Sequence, residues 1–441
     1  MSALTADITI VGLGPGDRDR LTIGAADAFA AATRIFVRSH PDTDFGEIFA
    51  AAKVTDVEPL RQPDDAPGGR WYPAALAVCE AAGDGPVAIA IPGHPRFGEG
   101  LVTDILRIAE EQGRTARVID GISVIDLVAT ALGVDPLLEG VQCFAGRTLV
   151  RMLPEGPFAG GIFTGSPRRP MLFTHVYDAA IMQAIAASVQ RVFPADHPVI
   201  RIDAAGLPAQ TISEHTVGDL ADVAAGPMVA LWIPAKTELE AGRDPRTMQQ
   251  ISARLRRPED GCPWDKVQTH ETLRETFIDE IYEVLDAIDA GDPANLAEEL
   301  GDLFLLITLN AQIAEESGTF TLEDVYESAA SKIVRRHPHV FAGEKAETRE
   351  DLARIWKRVK AWEKANAVSP KPDKDFDGEP RSKPSITRAA KVLTEHPLEV
   401  TSQPDADARS RALLEAVAAV VAAGDDPDVV LREALRNHAS A

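Results

Sequence analysis

The sequence predicts an α/β domain followed by an all-α helical bundle. In the first half, short apolar runs alternate with helical stretches, which is the pattern of a largely parallel sheet covered by helices. From Pro245 onward the strand signals disappear, and apolar residues recur at helical spacing instead. The 441 residues are enough for two or three domains, each with its own hydrophobic core.

Five apolar runs are the expected strands of the first half. They lie at residues 7–13, 87–91, 116–119, 198–202 and 228–233. A glycine loop and an alanine-rich helix from about Leu21 follow the first run. A polar segment at residues 236–244 is interpreted as a linker, so the α/β domain is predicted to span residues 1–235.

Consecutive amphipathic helices with short connections predict an antiparallel bundle over residues 245–366. The second of these helices covers about 269–290 and ends at Gly291. Asp292 with Pro293 has the pattern of an N-cap and first helical position for the third. Thr321 begins the fourth helix, and Thr348 begins the fifth, where it forms a near capping box with Asp351.

The end of the chain is predicted to be a linker and a helical tail. Residues 367–385 are rich in Pro, Asp, Lys and Ser, which is typical of a flexible linker. Residues 386–441 form the tail, whose final stretch, about 406–437, is rich in alanine and valine.

Composition excludes several classes of protein. Hydrophobic residues make up 45% of the chain and charged residues 26%, as in a soluble globular protein. The 45 basic and 68 acidic residues give a net charge of −23, which disfavours stable binding to nucleic acid. Three scattered cysteines suggest neither disulfides nor a zinc site. Without a signal peptide or an apolar run of about 18 residues, we expect a cytoplasmic protein that does not span a membrane.

Two pairs of carboxylates have the spacing of a metal site. Glu280 and Glu283 are three residues apart on one predicted helix, as are Glu299 and Asp302 on the next. Side chains at this spacing share a helix face, so two adjacent helices can direct four carboxylates to one point. Their repulsion would be relieved by a divalent cation, and ligation by oxygen alone favours Mg²⁺.

The alternative is that these carboxylates are ordinary solvated groups on helix surfaces. Apolar residues such as Ile281, Leu285 and Leu303 lie directly beside them in the sequence, however. Carboxylates bordering an apolar core require a reason to be there, which favours the metal site.

Four ordered motifs resemble the MazG pyrophosphohydrolases over about residues 245–365. They are the run from Pro258 to Lys266, the E-x-x-E of residues 280–283, the E-L-G-D-L of residues 299–303 and the R-R-H-P-H-V-F of residues 335–341. The resemblance implies an all-α fold that binds Mg²⁺ through Glu280, Glu283, Glu299 and Asp302. It also implies cleavage of a nucleoside triphosphate to monophosphate and pyrophosphate, which would suit removal of unwanted nucleotides from the pool.

Other residues of this region have expected roles. Glu283 or Glu280 could deprotonate the attacking water. Lys332, Arg335 and Arg336 could bind the phosphates, although a basic face at a helix C-terminus is an equally good explanation. Trp264 is expected to be a buried anchor, with stacking on a base as the alternative. The chain departs from the family at Asp279, Leu306 and Asn310, which puts substrate preference in doubt.

Three glycine-containing loops follow expected strands of the first half. Alone, each is explained as well by a tight turn, but the C-terminal ends of strands in an α/β sheet converge on one cleft. The residues expected to bind a ligand there are Gly12, Gly14, Gly16, Asp17, Pro92, Gly93, His94, Gly121, Ile122 and Ser123.

The order of these loops, with Asp196-His197-Pro198, resembles the tetrapyrrole (corrin/porphyrin) methylases over about residues 6–235. The resemblance implies their fold and S-adenosylmethionine as the ligand. His94 stands where the family has an acidic residue, which puts methyl transfer in doubt.

Three functional interpretations remain open. The chain could be a hydrolase with a second enzyme at its N-terminus, it could be chiefly a methyltransferase, or its N-terminal half could sense S-adenosylmethionine and regulate the hydrolase. A homodimer is expected, because MazG-like bundles pair across subunits. Residues 409–421 resemble a MazG helix that has lost its acidic motif, so the tail is predicted to be a degenerate, inactive second half.

Overall fold

The computed structural model describes residues 6–15, 18–38, 54–63, 69–152, 165–237, 240–366, 385–395 and 408–439. The chain divides into two compact units, Met1–Tyr326 and Glu327–Ala441. These units do not coincide with the expected domains, whose boundaries stay predictions. Most of the expected linker at 367–385 lies outside the described residues.

The first sheet has five parallel strands in the order β3-β2-β4-β1-β5. They are β1 (Ile8–Gly12), β2 (Arg34–Val37), β3 (Val54–Asp56), β4 (Val87–Ile91) and β5 (Ala116–Ile119). The helices that connect or follow them are α1 (Ile23–Ala31), α2 (Tyr72–Ala81), α3 (Gly100–Glu111) and α4 (Val124–Leu132). This part confirms the expected parallel α/β architecture.

The central strands of this sheet are apolar because both of their faces are covered. Every residue of β1 and of β4 is buried. One core lies between the sheet and helices α2 and α3, and includes Ile10, Ile89 and Ile105. A second core, with Val11 and Phe29, lies against α1. Continuous apolar strands are therefore the expected pattern here rather than alternating ones.

The second sheet differs from the expectation of a largely parallel arrangement. It contains β6 (Gln142–Ala145), β7 (Met171–Thr174), β8 (Pro198–Asp203), β9 (Thr211–Thr216) and β10 (Val229–Ile233), in the order β6-β7-β10-β8-β9. Only β6 and β7 pair in parallel, and the other three pairings are antiparallel. The prediction was wrong here because a short connection joins β8 to β9 as a hairpin, whereas a parallel pair requires a long crossover.

Helices α5 (Gly146–Met152) and α6 (Ala179–Val189) lie against one face of this sheet, with Phe173 and Ile185 in the shared core. The other face packs against α4, through Val128, Leu172 and Trp232. Since α4 also follows β5 of the first sheet, it connects the two sheets into one structure.

The expected linker at 236–244 is held against the α/β part by hydrogen bonds. The Lys236 backbone N–H donates to the Pro167 carbonyl at 2.7 Å, and the Ser166 hydroxyl donates to the Asp244 carboxylate. Asp244 is buried and accepts from the Arg246 N–H at 3.0 Å, so it also caps the next helix, α7 (Pro245–Leu255). The described residues at both ends of this connection are therefore anchored to the α/β part.

Three more helices follow in the first unit: α8 (Leu273–Ala290), α9 (Pro293–Glu316) and the beginning of α10 (Leu322–Arg336). A small core of Leu273, Leu306 and Leu309 lies between α8 and α9. The buried hydroxyls of Ser252 on α7 and Thr308 on α9 are hydrogen-bonded at 2.8 Å. None of the described helices is long and apolar enough to cross a membrane.

The regular elements described in the second unit are all helices. After α10 come α11 (Pro338–Phe341), α12 (Arg349–Ala365), α13 (Ser385–Glu395), α14 (Ala408–Ala422) and α15 (Pro427–Ala439). Thr348 and Asp351 form the expected capping box of α12. The expected helical stretch at 406–437 is two helices rather than one, because Gly424 adopts a positive φ of 87° between them.

Candidate active site

Helices α8 and α9 form a hairpin with a very tight turn. Gly291 ends α8 in the left-handed conformation, with φ 65°, and Asp292 accepts from the N–H groups of Ala294 and Asn295 at 3.0 and 3.2 Å. Pro293 occupies the first turn of α9. This confirms the capping pattern expected from the sequence.

The turn places the two carboxylate pairs opposite each other. Glu283 and Glu299 are equally far from Gly291 along the chain, and so are Glu280 and Asp302. One carboxylate oxygen from each of Glu280, Glu283 and Glu299 lies within 4.8 Å of the others. Asp302 is not in this group of three, but its charge acts on both Glu280 and Glu299. The structure thus brings the four predicted residues to one part of the hairpin.

The local electrostatics disfavour full ionisation of this cluster. Burial, then the charges of Asp302, Glu283 and Asp279, raise the pKa of Glu280 above its usual value. Burial and the neighbouring Glu283 likewise raise the pKa of Glu299. With these raised pKa values, the neutral forms of Glu280 and Glu299 persist to higher pH than in an isolated glutamate.

The residues present fit a hard divalent cation. The Oε2 atom of Glu280 is buried and has no hydrogen-bond partner, and no basic side chain is among the causes that shift the pKa values of Glu280 and Glu299. A buried oxygen without a donor is unfavourable, and a cation would satisfy it. An all-carboxylate donor set is the chemistry that Mg²⁺ accepts together with water and phosphate.

The basic residues suggested by the sequence are arranged differently from a free phosphate clamp. Arg335 and Arg336 both donate to the carboxylate of Glu363, at 2.8 and 2.7 Å for their closest contacts. Hydrogen bonds from Arg336 and then Arg335 lower the pKa of Glu363 to about 2. Lys332 is exposed. Binding of phosphate by these three residues stays a prediction.

Trp264 corrects one expectation. Its side chain is 53% exposed, so the interpretation as a buried anchor is wrong. The following Asp265 is the buried residue of this loop, and the guanidinium of Arg256 donates to its carbonyl oxygen. The segment is therefore anchored by the hydrogen bond from Arg256 to the Asp265 carbonyl, and not by the indole of Trp264.

The three glycine loops of the first sheet meet, as the convergence of strand ends predicted. Gly14 and Gly93 exchange backbone hydrogen bonds of 3.1 and 2.7 Å. A Cβ atom on Gly12 would lie 2.5 Å from the Gly121 nitrogen, and one on Gly121 would lie 2.5 Å from the Gly93 carbonyl oxygen. No side chain fits at Gly12 or Gly121 without movement of the backbone. Gly16 and Asp17 lie outside the described residues.

A cavity of about 150 Å³ lies beside these loops and between the two sheets. Of the predicted ligand-binding residues, Gly14, Pro92, Gly93, His94 and Ser123 line it. Gly12, Gly121 and Ile122 are not among the residues that line it, although a Cβ on Gly14 would come within 3.4 Å of Ile122. Ser123 is also the N-cap of α4, in a capping box with Asp126.

His94 puts an imidazole where the family has an acidic residue, but the carboxylate of Asp120 lies next to it. Its Nε2 atom is 3.4 Å from a carboxylate oxygen of Asp120, and its Nδ1 atom accepts from the Arg96 N–H at 3.1 Å. Since Nδ1 is an acceptor, neutral His94 carries its proton on Nε2 and points it at Asp120.

The opposite wall of the cavity contains residues that the sequence analysis missed. Arg38 pairs with the carboxylate of Glu99 and hydrogen-bonds to Tyr177, and all three line the cavity with Thr174 and His175. Burial lowers the pKa of His175 to about 4, so its ring is neutral at pH 7. Arg38 and His175 directly follow short apolar strands, and that position was the available signal.

Two family models match successive parts of the chain. Residues 7–221 match the tetrapyrrole (corrin/porphyrin) methylases, and residues 268–341 match the MazG nucleotide pyrophosphohydrolase domain. Protein YabN of Bacillus subtilis, described as uncharacterized, is 32% identical over 392 residues, which are 88% of this chain and 77% of YabN. The chain belongs to the tetrapyrrole methylase–MazG fusion family. Both resemblances seen in the sequence are confirmed, and the chain carries a MazG nucleotide pyrophosphohydrolase domain.

The MazG domain is also similar to named enzymes. A nucleoside triphosphate pyrophosphohydrolase of Escherichia coli (strain K12) is 42% identical over 142 residues, 32% of this chain and 53% of that protein. The nucleoside triphosphate pyrophosphohydrolase/pyrophosphatase MazG of Thermotoga maritima is 42% identical over 130 residues, 30% of this chain and 49% of that protein. The chain therefore matches about half the length of these relatives.

Proposed function

We propose that this chain hydrolyses nucleoside triphosphates to monophosphates and pyrophosphate at the carboxylates of the α8–α9 hairpin. The observation that supports this most directly is the meeting of Glu280, Glu283 and Glu299 within 4.8 Å. They lie inside the segment that matches the MazG domain. Clearing unwanted nucleotides from the pool is the cellular role that fits such an activity.

Glu280, Glu283, Glu299 and Asp302 would hold Mg²⁺, and the uncompensated Glu280 Oε2 supports this assignment. When bound, the ion would offset the charge of the phosphate oxygens and polarise the phosphorus. The high negative charge of the chain makes this compensation necessary, since a triphosphate would otherwise be repelled.

Glu283 is the better of the two proposed bases, because it is exposed, whereas one oxygen of Glu280 is buried. Its carboxylate would accept a proton from a water molecule while the water oxygen attacks the α-phosphorus. The bond between the α-phosphorus and the bridging oxygen would break, and pyrophosphate would leave. Each turnover therefore yields one monophosphate and one pyrophosphate.

The test is a screen of canonical and modified NTPs and dNTPs with the full chain, with and without Mg²⁺. Pyrophosphate and orthophosphate are measured separately. We expect Mg²⁺-dependent release of pyrophosphate from at least one nucleotide. Release of orthophosphate as the first product, or no turnover of any nucleotide, would contradict the proposal.

We further propose that the methylase-like domain binds S-adenosylmethionine in the cavity beside Gly14 and Gly93 and transfers methyl groups poorly or not at all. The backbone exposed at these glycines supports binding, because a ligand can approach it closely. His94 supports the second part, since it replaces an acidic group of the family. Such a domain could regulate the hydrolase rather than act as a second enzyme.

Calorimetry of the full chain with S-adenosylmethionine tests the binding, and incubation with a porphyrinogen and labelled S-adenosylmethionine tests the transfer. We expect measurable heat and negligible transfer of label. If no heat or thermal shift is seen at millimolar ligand, the domain is a scaffold. Efficient methylation of the porphyrinogen would show instead that His94 does not impair catalysis.

A homodimer formed through the MazG domain is also proposed. Ile281, Leu285 and Ile288 lie on one face of α8 and are 47%, 41% and 53% exposed. An apolar face of this kind is unfavourable in water and typical of an interface. We expect a dimer by sedimentation analysis, and the change Leu285→Glu should shift it to monomer. A wild-type monomer would contradict the proposal.

We propose the cytoplasm as the location. Cys79, Cys143 and Cys262 are all free thiols, which suits a reducing compartment. Fractionation of cells that express the protein would test this, with recovery in the soluble cytoplasmic fraction as the expected result.

A further inference from the structure

A histidine and an asparagine are paired at the end of the α8–α9 hairpin away from its turn. His270 lies in the loop before α8, and its Nδ1 atom is 2.7 Å from the Oδ1 atom of Asn310 on α9. The Nδ2 group of Asn310 donates to the Leu306 carbonyl at 2.9 Å, which fixes the orientation of the amide.

This geometry determines the tautomer of the histidine. Since Oδ1 of Asn310 can only accept, Nδ1 of His270 must carry the proton. In neutral His270 the Nε2 atom is then a hydrogen-bond acceptor, on an exposed side chain. The pair therefore keeps Nε2 of neutral His270 as a hydrogen-bond acceptor that is accessible from solvent.

The loop that carries His270 is held in place by a buried arginine. The guanidinium of Arg256 is 7% exposed and donates to the carbonyls of Asp265 and Gln268, at 2.5 and 3.1 Å. It also pairs with Glu316 near the end of α9, at 2.8 Å. Because the loop and α9 share this arginine, His270 is preorganised relative to the helix that carries Glu299.

The pair lies on the same side of α9 as the carboxylates. Asn310 follows Glu299 by eleven residues, which is just over three full turns of an α-helix. The separation along the helix axis is about 16 Å. The stretch of a nucleotide from its α-phosphorus to the pairing edge of its base is shorter than this separation, and the metal ion between carboxylate and phosphate, together with the imidazole ring, would cover the remainder.

We propose that His270, positioned by Asn310, recognises the nucleobase of the triphosphate whose phosphates lie at the carboxylates. Its Nε2 atom accepts a hydrogen bond from an N–H group on the pairing edge of the base. This inference rests on the proposed hydrolase function and adds its base-recognition element. The competing explanation is that the pair merely attaches the loop to α9.

The experiment compares two substrates that differ in the presence of a base. The first is the nucleotide with the highest kcat/KM in the pyrophosphate screen, and the second is ribose 5-triphosphate. The quantity measured is the ratio of their kcat/KM values, for the full chain with Mg²⁺. Because both substrates share the triphosphate, a change at the carboxylates alone cancels in this ratio.

For His270→Ala we expect the ratio to fall about tenfold, as for loss of one hydrogen bond to substrate. Asn310→Leu should lower it similarly, whereas Asn310→Asp should retain it in assays at alkaline pH, where the imidazole is neutral and the carboxylate still accepts from Nδ1. His438→Ala, at an exposed histidine on α15, is the matched control and should leave the ratio as in the wild type.

A ratio unchanged in His270→Ala would overturn the proposal and leave the pair as a structural attachment, even if both rates fell together. Equal loss of the ratio in Asn310→Asp and Asn310→Leu would overturn the positioning role of Asn310. A wild-type protein that cleaves ribose 5-triphosphate as well as any nucleotide would overturn base recognition while upholding the hydrolase. Absence of turnover with every triphosphate would overturn both.

Discussion

The carboxylate site and the glycine cleft belong to one compact unit but are assembled differently. The four carboxylates come from residues 280–302, on two helices joined by a tight turn, whereas the cleft glycines come from loops spread over residues 12–121. The first site consists of carboxylate side chains. The second depends on glycines, whose lack of a side chain allows the loops to approach one another. Local helix geometry positions one, and the order of strands in a sheet positions the other.

This difference has an energetic counterpart. At the carboxylates, like charges and a buried oxygen without a partner make the ligand-free state unfavourable. At the cleft, Gly14 and Gly93 exchange backbone hydrogen bonds without a ligand. Ligand binding at the carboxylate site should therefore raise the stability of the fold strongly. The cleft should be sensitive mainly to substitutions that change its shape.

The largest expected effect is on hydrolysis. Glu299→Gln should lower the rate of pyrophosphate release by on the order of 10² or more, because it removes a metal ligand while conserving shape. Glu280→Gln should do the same. Glu298→Gln, at the exposed neighbour on α9, is the matched control and should retain most of the rate. Near-full activity of Glu299→Gln would show that the site has been assigned wrongly.

The second effect is steric. Gly12→Ala places a Cβ atom 2.5 Å from the Gly121 nitrogen and 2.7 Å from Pro95, so the loops must move apart. We expect a loss of about 1–3 kcal/mol in unfolding free energy and weaker binding of S-adenosylmethionine by calorimetry. Gly24→Ala is the control, because its Cβ would be 3.7 Å from Ile119, an ordinary contact. Unaltered stability and binding in Gly12→Ala would mean that the loops are looser than described.

The third effect is on stability and its dependence on pH. With Mg²⁺ removed by a chelator, Glu280→Gln should have a higher Tm than the wild type at pH 7. The raised pKa of Glu280 means that the folded state holds a proton longer than the unfolded state. The resulting penalty is complete above the folded pKa and disappears below the usual pKa of 4.5.

The advantage of Glu280→Gln should therefore vanish as the pH falls below about 4. Mg²⁺ should raise the Tm of the wild type more than that of the variant. A variant less stable than the wild type in chelator at pH 7 would contradict the charge repulsion described for the cluster.

The smallest effect is expected for the tail. The resemblance of residues 409–421 to a MazG helix stays a prediction, in which Arg409, Ser410, Arg411 and Ala412 stand in place of the acidic motif and form no second metal site. Removal of residues 402–441 should leave hydrolysis within a few-fold of wild type, although assembly could change. Loss of all activity in a soluble, folded truncation would show that the tail contributes to the site.

The sequence predicted local features better than distant ones. The cap at Asp292, the turn at Gly291 and the capping box at Thr348 depend on a few adjacent residues, and the structure confirms each. The direction of β10 relative to β8 was predicted wrongly because strand pairing is a non-local property. A short apolar run does not show which neighbour it will pair with.

The same distinction applies to the sites. The carboxylates could be found because their spacing on each helix and their distances from the turn are both visible in the sequence. Arg38, Glu99 and Tyr177 could not be grouped, since they lie on three separate elements that only the fold brings together. Similarly, the pairing of Arg335 and Arg336 with Glu363 depends on how α10 and α12 pack.

The hydrogen bond from Ser166 to Asp244 has a consequence for dissecting the protein. Asp244 is the cap of α7, yet the groups that hold Asp244 and its neighbours belong to the α/β part. A fragment that begins at Pro245 would start with an uncapped helix, a loss of about 1 kcal/mol. Through Ser252 and Thr308, α7 is bonded to α9, so fraying of α7 would loosen the support of the carboxylates. The α/β part and the helical part share the contacts of Asp244. Dividing the chain before Pro245, where the sequence suggests a domain boundary, therefore removes contacts from both parts.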